Sequence, residues 1–162
     1  MSGLSAVSVG IGPGSFTGLR IGFSVAKGLC YPHNIDLIGI SSLRIIANSV
    51  VKENKNIISL INDKGEHYYI SKYSNDLKEL VEPKIKLIDR DYIFNILDDD
   101  SVIVVNTDES NEFISDLVNE EIQVFKRTIS SVDMISLSHK SLEEKKFEDI
   151  AYIEPMYVKK PY

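Results

Sequence analysis

The chain has 162 residues, of which 43% are hydrophobic and 26% charged, a composition typical of a globular protein with one domain or two small lobes. Its formal net charge of −6 argues against a dedicated nucleic-acid binder, because such proteins neutralise phosphates with clustered Lys and Arg. A single cysteine excludes an internal disulfide and no apolar run has the length of a membrane span, so we expect a cytoplasmic protein without membrane contact.

A predicted strand at the start of the chain, Ala6 to Val9, leads into the glycine-rich stretch "GIGPGSFTGLRIG". A helix follows from about Phe16 to Tyr31, where Pro32 ends it. The segment "IDLIGIS" predicts a second strand.

The next helix is capped by Ser41 or Ser42 and runs to about Val51. Two further strands, "NIISLIND" and "EHYYISKYS", flank Asp63-Lys64-Gly65, which is a hairpin signal.

The second half of the chain repeats this alternation. It predicts a strand "KIKLID", a helix "RDYIFNIL", a strand "SVIVVNT", a helix "NEFISDLVN" and a strand "IQVFK". Ser130 and Asp133 form a capping-box-like pair at the start of a last helix, about Val132 to Phe147, and an irregular tail follows. Alternating strands and helices predict an α/β protein with a mixed or parallel sheet, and we place a lobe boundary between residues 80 and 81.

The helix after the glycines is apolar or small over most of its circumference. Its polar residues share one face and are Arg20, Ser24, Lys27 and Tyr31. Such a helix must be buried on more than one side, and its own sheet covers one side only. Two interpretations stay open: a core helix enclosed by this chain, or a docking surface on which the row Gly18, Gly22 and Ala26 lets a helix of another chain approach.

The glycine loop itself fits the known phosphate motifs poorly. A P-loop requires Lys followed by Ser or Thr at the helix start, but here the helix opens with Ser15-Phe16-Thr17 and the first basic residue is Arg20. The dinucleotide fingerprint lacks its last glycine, because position 15 is serine. A tight turn with close packing is the interpretation we favour.

"GPGSFTGLRIG", followed by a helix and "IGISSL", resembles the bacterial TsaB family, also called YeaZ. "NDKGEHYY" resembles the family's Asp-Ala-Arg-x-Gly-Glu-Val-Tyr segment, although Asn62 replaces a frequent Asp and the segment is one residue shorter. "IEPMYVKKPY" resembles the family's Glu-Pro-x-Tyr-Leu-Arg ending. Family members usually begin with about fifty further residues, so we expect a shortened first domain that self-associates through its exposed strand edge and apolar helix.

The resemblance implies an actin-like (ASKHA, ribonuclease H-like) fold with a truncated first domain, residues 1–80, and a second domain, residues 81–162. It implies a non-catalytic subunit that supports TsaD in transferring threonylcarbamoyl to the tRNA adenosine next to the anticodon. ATP and metal belong to the TsaD-like partner, a TsaE-like ATPase completes the complex, and tRNA is bound only through the complex. A homodimer is expected in the partner's absence.

No catalytic or metal-ligating residue is expected in this chain. The expected partner-binding residues lie on the helix: Thr17, Gly18, Arg20, Ile21, Gly22, Val25, Ala26 and Leu29. The expected glycine loop comprises Gly10, Gly12, Pro13, Gly14 and Ser15.

Two enzymatic alternatives remain. The first is a glycoprotease-like (M22-type) peptidase, but His33, His67 and His139 are widely spaced and no HExxH motif occurs. Ser15 lacks the flanks of a nucleophile elbow, and we expect Cys30 to be buried. The second is a small kinase of the actin-like superfamily, which requires a catalytic Asp and a phosphate cradle built from two loops.

Overall fold

The fold is described by a computed structural model for residues 3–106 and 122–158. Within these residues the strands are β1 Ala6–Gly12, β2 Asp36–Ser41, β3 Asn56–Lys64, β4 His67–Tyr73, β5 Glu79–Leu87, β6 Ser101–Asn106 and β7 Val124–Lys126. The helices are α1 Phe16–Cys30, α2 Ser42–Asn48, α3 Arg90–Ile96 and α4 Ile135–Glu143. No helix in these ranges combines the length and the apolar character needed to cross a bilayer.

The strands form two sheets. β1 and β2 pair in parallel, and the larger sheet has the order β5-β4-β3-β6-β7. β4 is antiparallel to β3 and to β5, whereas β6 is parallel to β3 and to β7, so the predicted mixed sheet is confirmed. The predicted lobe boundary falls inside β5, which pairs with β4, and the division into residues 1–80 and 81–162 stays a prediction.

β3 and β6 are central because their residues are apolar on both faces. Ile57, Ile58 and Leu60 of β3 are fully buried, as are Val102 to Val105 of β6. A strand that is apolar on both faces needs cover on both faces. Here α2 covers one face through Leu43, and α3 covers the other.

The first helix, the second strand and the hairpin are confirmed. α1 ends at Cys30, one residue before the predicted end, and continues as a short 3-10 turn. The β3–β4 hairpin turns at Gly65, which has φ +59°, and the Asn62 side chain closes the turn by donating to the Gly65 carbonyl at 2.8 Å.

Two predicted helix ends are wrong. α2 stops at Asn48 instead of Val51, because the chain turns into a 3-10 segment that ends at left-handed Asn54. The last α-helix stops at Glu143 instead of Phe147, because Lys145 adopts φ 52°.

The predicted cap of the last helix is partly confirmed. The Ser130 hydroxyl accepts from the Val132 N–H at 3.2 Å, but it caps a 3-10 turn, residues 131–134, that precedes α4. The helix predicted for "NEFISDLVN" lies outside the described residues.

An ion pair ties β4 to the loop before β6. The Lys72 Nζ lies 2.6 Å from Asp98 Oδ2 and 2.7 Å from the Ile96 carbonyl oxygen, and the Lys72 side chain is 11% exposed. Ser101 also donates its hydroxyl to Asp98. These hydrogen bonds, that from Lys72 first, lower the pKa of Asp98 from 3.8 to about 2. The carboxylate thus anchors a nearly buried ammonium group.

The pKa of Asp98 makes stability depend on pH in acid. A carboxylate whose pKa is lower in the folded state stabilises the fold above its unfolded pKa, and this contribution is lost as the pH falls through the folded pKa. We therefore expect the free energy of unfolding to decline from about pH 4 toward pH 2, and Asp98→Asn to remove that part of the decline. Urea unfolding from pH 6 to pH 2 measures it. Asp99→Asn controls for the loss of an exposed negative charge, and parallel pH curves for wild type and Asp98→Asn would contradict the assignment.

Gly39 in β2 lies where three segments meet. A Cβ there would lie 2.7 Å from Ile11 Cγ2, 2.9 Å from Glu148 Oε1 and 3.2 Å from Ile153 Cδ1. We expect Gly39→Ala to destabilise the protein by about 1–3 kcal/mol through overpacking, measured by chemical denaturation.

Gly28→Ala is the matched control, because a Cβ at Gly28 meets nothing within 4 Å and alanine favours the helix. The two substitutions should shift the free energy of unfolding in opposite directions. An equal or stabilising effect of Gly39→Ala would show that the three segments do not meet closely at β2.

Candidate functional site

The glycine loop is a tight turn that places the start of α1 over β1. Gly12 has φ +102°, and a Cβ on it would lie 3.0 Å from Leu19 Cδ1 and 3.1 Å from the Met156 carbonyl oxygen. Only glycine adopts this conformation readily and also leaves space for both neighbours. The turn interpretation is therefore confirmed, and the close packing is with this chain's own helix and tail.

Ser15 begins α1 as its N-cap. The Ser15 hydroxyl accepts a hydrogen bond from the Gly18 N–H at 3.2 Å, which satisfies one of the free donors of the first turn. Gly14 lies beside it in open space. The serine thus has a structural role at the point where a nucleophile was considered.

The C-terminal tail, residues 148–158, crosses the small sheet and reaches the glycine loop. The Glu148 N–H donates to the Leu37 carbonyl at 2.8 Å, and the Met156 N–H donates to the Ile11 carbonyl at 2.6 Å. Ile150 and Ile153 pack against the same cluster as Val9 and Leu37. The tail is therefore part of the core around the small sheet.

A cleft of about 850 Å³ opens between the start of α1, the ends of β3 and β6, and the tail. Its lining comprises Pro13, Gly14, Ser15, Phe16, Thr17, Leu19, Arg20, Ile61, Asn62, Asp63, Lys64, Tyr69, Asn106, Ile129, Met156, Tyr157 and Val158. The Tyr69 hydroxyl lies 3.2 Å from Asp63 Oδ1. The cleft thus brings the glycine loop and the shortened β3–β4 hairpin together.

Three side chains form a cluster at the rim of the cleft. The Arg20 guanidinium lies 3.8 Å from the centre of the Phe16 ring, and its Nε donates to the Tyr157 hydroxyl at 3.4 Å. The two rings are 5.8 Å apart and tilted by 40°. Because cation–π contact and a hydrogen bond both hold Arg20, the cluster joins the first turn of α1 to the tail.

α1 is covered by its own chain on one side only. Phe23, Ala26 and Cys30 are buried against the small sheet, whereas Ile21 and Val25 are exposed on the opposite side. The core-helix interpretation is therefore wrong for the described residues, since the chain leaves an apolar helix face uncovered.

The predicted partner-binding residues lie on both sides of α1. Thr17, Gly18, Arg20, Ile21 and Val25 are exposed, whereas Gly22 and Leu29 are partly buried and Ala26 is buried. The close approach permitted by Gly22 is to β1, because a Cβ there would lie 3.7 Å from Val9 Cγ2. The partner-binding role of the whole set stays a prediction.

The sequence analysis does not predict the contacts that the C-terminal tail makes. "IEPMYVKKPY" was noted as a family resemblance, but nothing in it indicates a hydrogen bond from Met156 to Ile11 or a stack of Tyr157 on Phe16. One residue could have indicated these contacts. Gly12 lacks a side chain at the place where the backbone of the tail approaches β1.

The side chains considered as reactive groups or metal ligands are not arranged for chemistry. Cys30 is fully buried, its thiol lies 3.7 Å from the Asp36 carbonyl oxygen, and burial, followed by the charge of Asp36, raises the pKa of the thiol. In the described part of the chain, no three His, Cys, Asp or Glu side chains are placed to hold a metal ion.

Comparison with known sequences relates the chain to a protein family. The profile of the family described as "TsaD: tRNA N6-adenosine threonylcarbamoyltransferase" matches residues 1–93. The chain is 32% identical over 78 residues to the "tRNA threonylcarbamoyladenosine biosynthesis protein TsaB" of Escherichia coli K12, which covers 47% of this chain and 34% of that protein. It is 36% identical over 93 residues to the protein of that name in Bacillus subtilis 168, covering 56% of this chain and 40% of that protein. The chain belongs to the family that this profile describes, and the curated relatives that it resembles are named TsaB.

Solved structures show the same fold. The structure described as "YeaZ from Pseudomonas aeruginosa" superposes with a TM-score of 0.73 over 94% of this chain and 73% of that chain, at 17% identity. A second, an uncharacterized protein "with similarity to peptidase YEAZ from Pseudomonas aeruginosa", gives a TM-score of 0.75 over 96% of this chain and 74% of that chain, at 16% identity. The predicted actin-like α/β fold is confirmed. The chain spans less than half the length of the curated TsaB relatives that it matches.

The N-cap of α1 gives a testable consequence. We expect Ser15→Ala to lower the free energy of unfolding by about 1 kcal/mol, because the Gly18 N–H loses its partner. Thermal unfolding followed by circular dichroism measures the change.

The matched control for this cap is Ser24→Ala, an exposed site inside the same helix, where alanine should be neutral or slightly stabilising. If Ser15→Ala were as stable as Ser24→Ala, the hydroxyl would have no capping role, and another function for Ser15 would have to be sought.

Proposed function

We propose that this chain is a non-catalytic TsaB-type subunit in threonylcarbamoyladenosine biosynthesis. It supports a TsaD-like subunit that transfers threonylcarbamoyl to the tRNA adenosine next to the anticodon. ATP and metal are bound by that partner, a TsaE-like ATPase completes the assembly, and the complex works in the cytoplasm. Family membership and the names of the TsaB relatives support this proposal.

The observation that carries the proposal is the uncovered face of α1. Ile21 is 60% exposed and Val25 is 58% exposed, one helical turn apart. Phe16, 54% exposed, lies on a different side of the helix, at the cleft. An apolar surface of this kind on a folded domain favours a protein partner. We therefore place the TsaD-like subunit on this face.

A second copy of the chain covers the same face when the partner is absent. Among the described residues β2 is the one strand that pairs with β1, so the other edge of β1 offers backbone donors and acceptors, apart from the Ile11 carbonyl that accepts from Met156. The apolar face of α1 and the open edge of β1 together make a self-complementary surface for a two-fold dimer. Homodimer and heterodimer then compete for one surface.

tRNA reaches this chain only through the complex. With a net charge of −6, the isolated chain repels a polyanion at physiological salt. The exposed Arg20 lies at the end of α1 nearest the cleft and adds a positive charge to a surface shared with the partner.

No observation on the described residues favours the peptidase or the kinase. Ser15 is engaged as a helix cap, Cys30 is buried, and the glycine loop packs against the tail. The docking function is the one that explains the uncovered helix face.

The docking face is tested by placing a charge on it. Ile21→Asp should leave the fold intact, because the side chain is exposed, and should weaken binding to the cognate TsaD-type subunit at least about 100-fold, because an unpaired carboxylate would be buried in the interface. Surface plasmon resonance measures the affinity, and sedimentation velocity shows whether the same variant loses the homodimer.

Ile135→Asp is the matched control. Ile135 is 65% exposed on α4, away from α1, so the same apolar-to-acidic change there should leave both associations unchanged. Wild-type affinity for Ile21→Asp would move the docking surface elsewhere. Loss of tRNA modification by the reconstituted complex should follow the loss of affinity.

A further inference from the structure

Gly28 is an exposed glycine inside α1, near the end of the helix. Among the described residues, a Cβ placed on it would meet nothing within 4 Å outside the adjoining helix backbone. Glycine is less favourable than alanine in the interior of a helix, because the unfolded chain loses more freedom when it folds. Gly28 therefore costs the helix stability, and no contact in the described part of the chain requires it.

Gly28 lies on the same side of α1 as the two exposed apolar residues. It follows Ile21 by seven residues and Val25 by three, and at about 3.6 residues per turn these spacings place all three on one face. Ile21 is 60% exposed and Val25 is 58% exposed. Two small exposed residues, Thr17 and Ser24, border this face. The face thus has two protruding apolar side chains and a hollow at Gly28.

We propose that the TsaD-like subunit lays a helix across α1 with its closest approach at Gly28. This inference rests on the docking function proposed above and specifies the geometry of that contact. Packed helices insert the side chains of one helix into the hollows between the side chains of the other. A large apolar side chain of the incoming helix therefore fits over Gly28, and small residues of that helix fit against Ile21 and Val25.

The charges on α1 favour an apolar partner surface. Arg20 and Lys27 are the charged residues of this helix, and both lie to one side of the face that contains Gly28. The Arg20 guanidinium is held at the cleft by the Tyr157 hydroxyl. The cores of protein interfaces are depleted in charged side chains, and an uncharged face meets that requirement. An apolar helix fits this face, whereas a polyanion requires cations on it.

The structure moves the point of close approach along α1. The sequence analysis placed it at the row that contains Gly22 and Ala26. Ala26 is buried within this chain, and a Cβ at Gly22 would lie 3.7 Å from Val9 Cγ2. The space at those two positions is thus used by β1, and the space at Gly28 remains for another chain.

Two substitutions of Gly28 in the full chain test the proposal. Gly28→Ala should raise the free energy of unfolding of the dilute monomer, because alanine favours the helix and meets no neighbour. The same variant should bind the cognate TsaD-type subunit at least about fivefold more weakly, because its Cβ occupies space that the incoming backbone needs. Gly28→Leu should weaken binding about 100-fold. Chemical denaturation measures the stability, and surface plasmon resonance measures the affinity.

The opposite changes in stability and affinity separate a contact with another chain from a structural role, since a structural role moves both in the same direction. His139→Leu is the matched control for the added side chain. His139 is exposed on α4, so leucine there should change the affinity less than about twofold. Ile21→Asp, measured in the same series, reports on the docking face itself.

The outcomes distinguish the crossing point from the docking face. Wild-type affinity for both Gly28 variants, together with a loss for Ile21→Asp, would overturn the crossing at Gly28 and leave the docking function in place. Wild-type affinity for all three variants would overturn both. If Gly28→Leu fails to fold, as judged by circular dichroism, the affinity of Gly28→Ala decides alone.

Discussion

A two-stranded sheet is too small to be stable alone, and the first part of this protein rests on one. One face of β1 and β2 is covered by α1 together with Ile150 and Ile153 of the C-terminal tail, and the other face is covered by α2. The hydrogen bond from Met156 to Ile11 and the close contacts of Gly39 with Ile11 and Ile153 fix this sandwich. The position of α1, and of everything that it presents, depends on that packing.

The same packing explains why α1 is only half covered. The tail lies across the small sheet and spans from Leu37 to the glycine loop, so it adds nothing to the outer face of the helix. The five-stranded sheet packs against α2, which also contacts the small sheet, and against α3, and it does not cover the outer face of α1. A helix that is apolar over most of its circumference thus keeps Ile21 and Val25 on the surface. The docking proposal is a consequence of how few elements the first sheet has.

Much of the fold was predictable because its signals are local. The alternating or fully apolar pattern of a strand, Pro32 after α1 and Gly65 in the hairpin turn are such signals. Each of them determines the backbone structure only within a few residues of itself. The helix ends at Val51 and Phe147 were not predictable, because they depend on left-handed turns at Asn54 and Lys145, residue types that adopt such turns only in some contexts.

The candidate site was predictable in part. Ile21 and Val25 were named because the helix is apolar over most of its circumference and because of the family resemblance, and they lie on the exposed face. Periodicity does not say which side of a helix the chain itself covers, so Ala26 and Gly22 were named with them although they face β1. The cleft joins Gly14, Asn106 and Tyr157, which are far apart in sequence, and no local pattern connects them.

The tail contact has a consequence for biogenesis. Residues 11 and 156 pair by a backbone hydrogen bond, so nearly the whole described chain lies between the two segments that this bond joins. Contacts of such high sequence separation form late, and a chain emerging from the ribosome cannot make this one until residue 156 has left the exit tunnel. The seating of α1 against the tail is therefore completed only after residue 156 has been made.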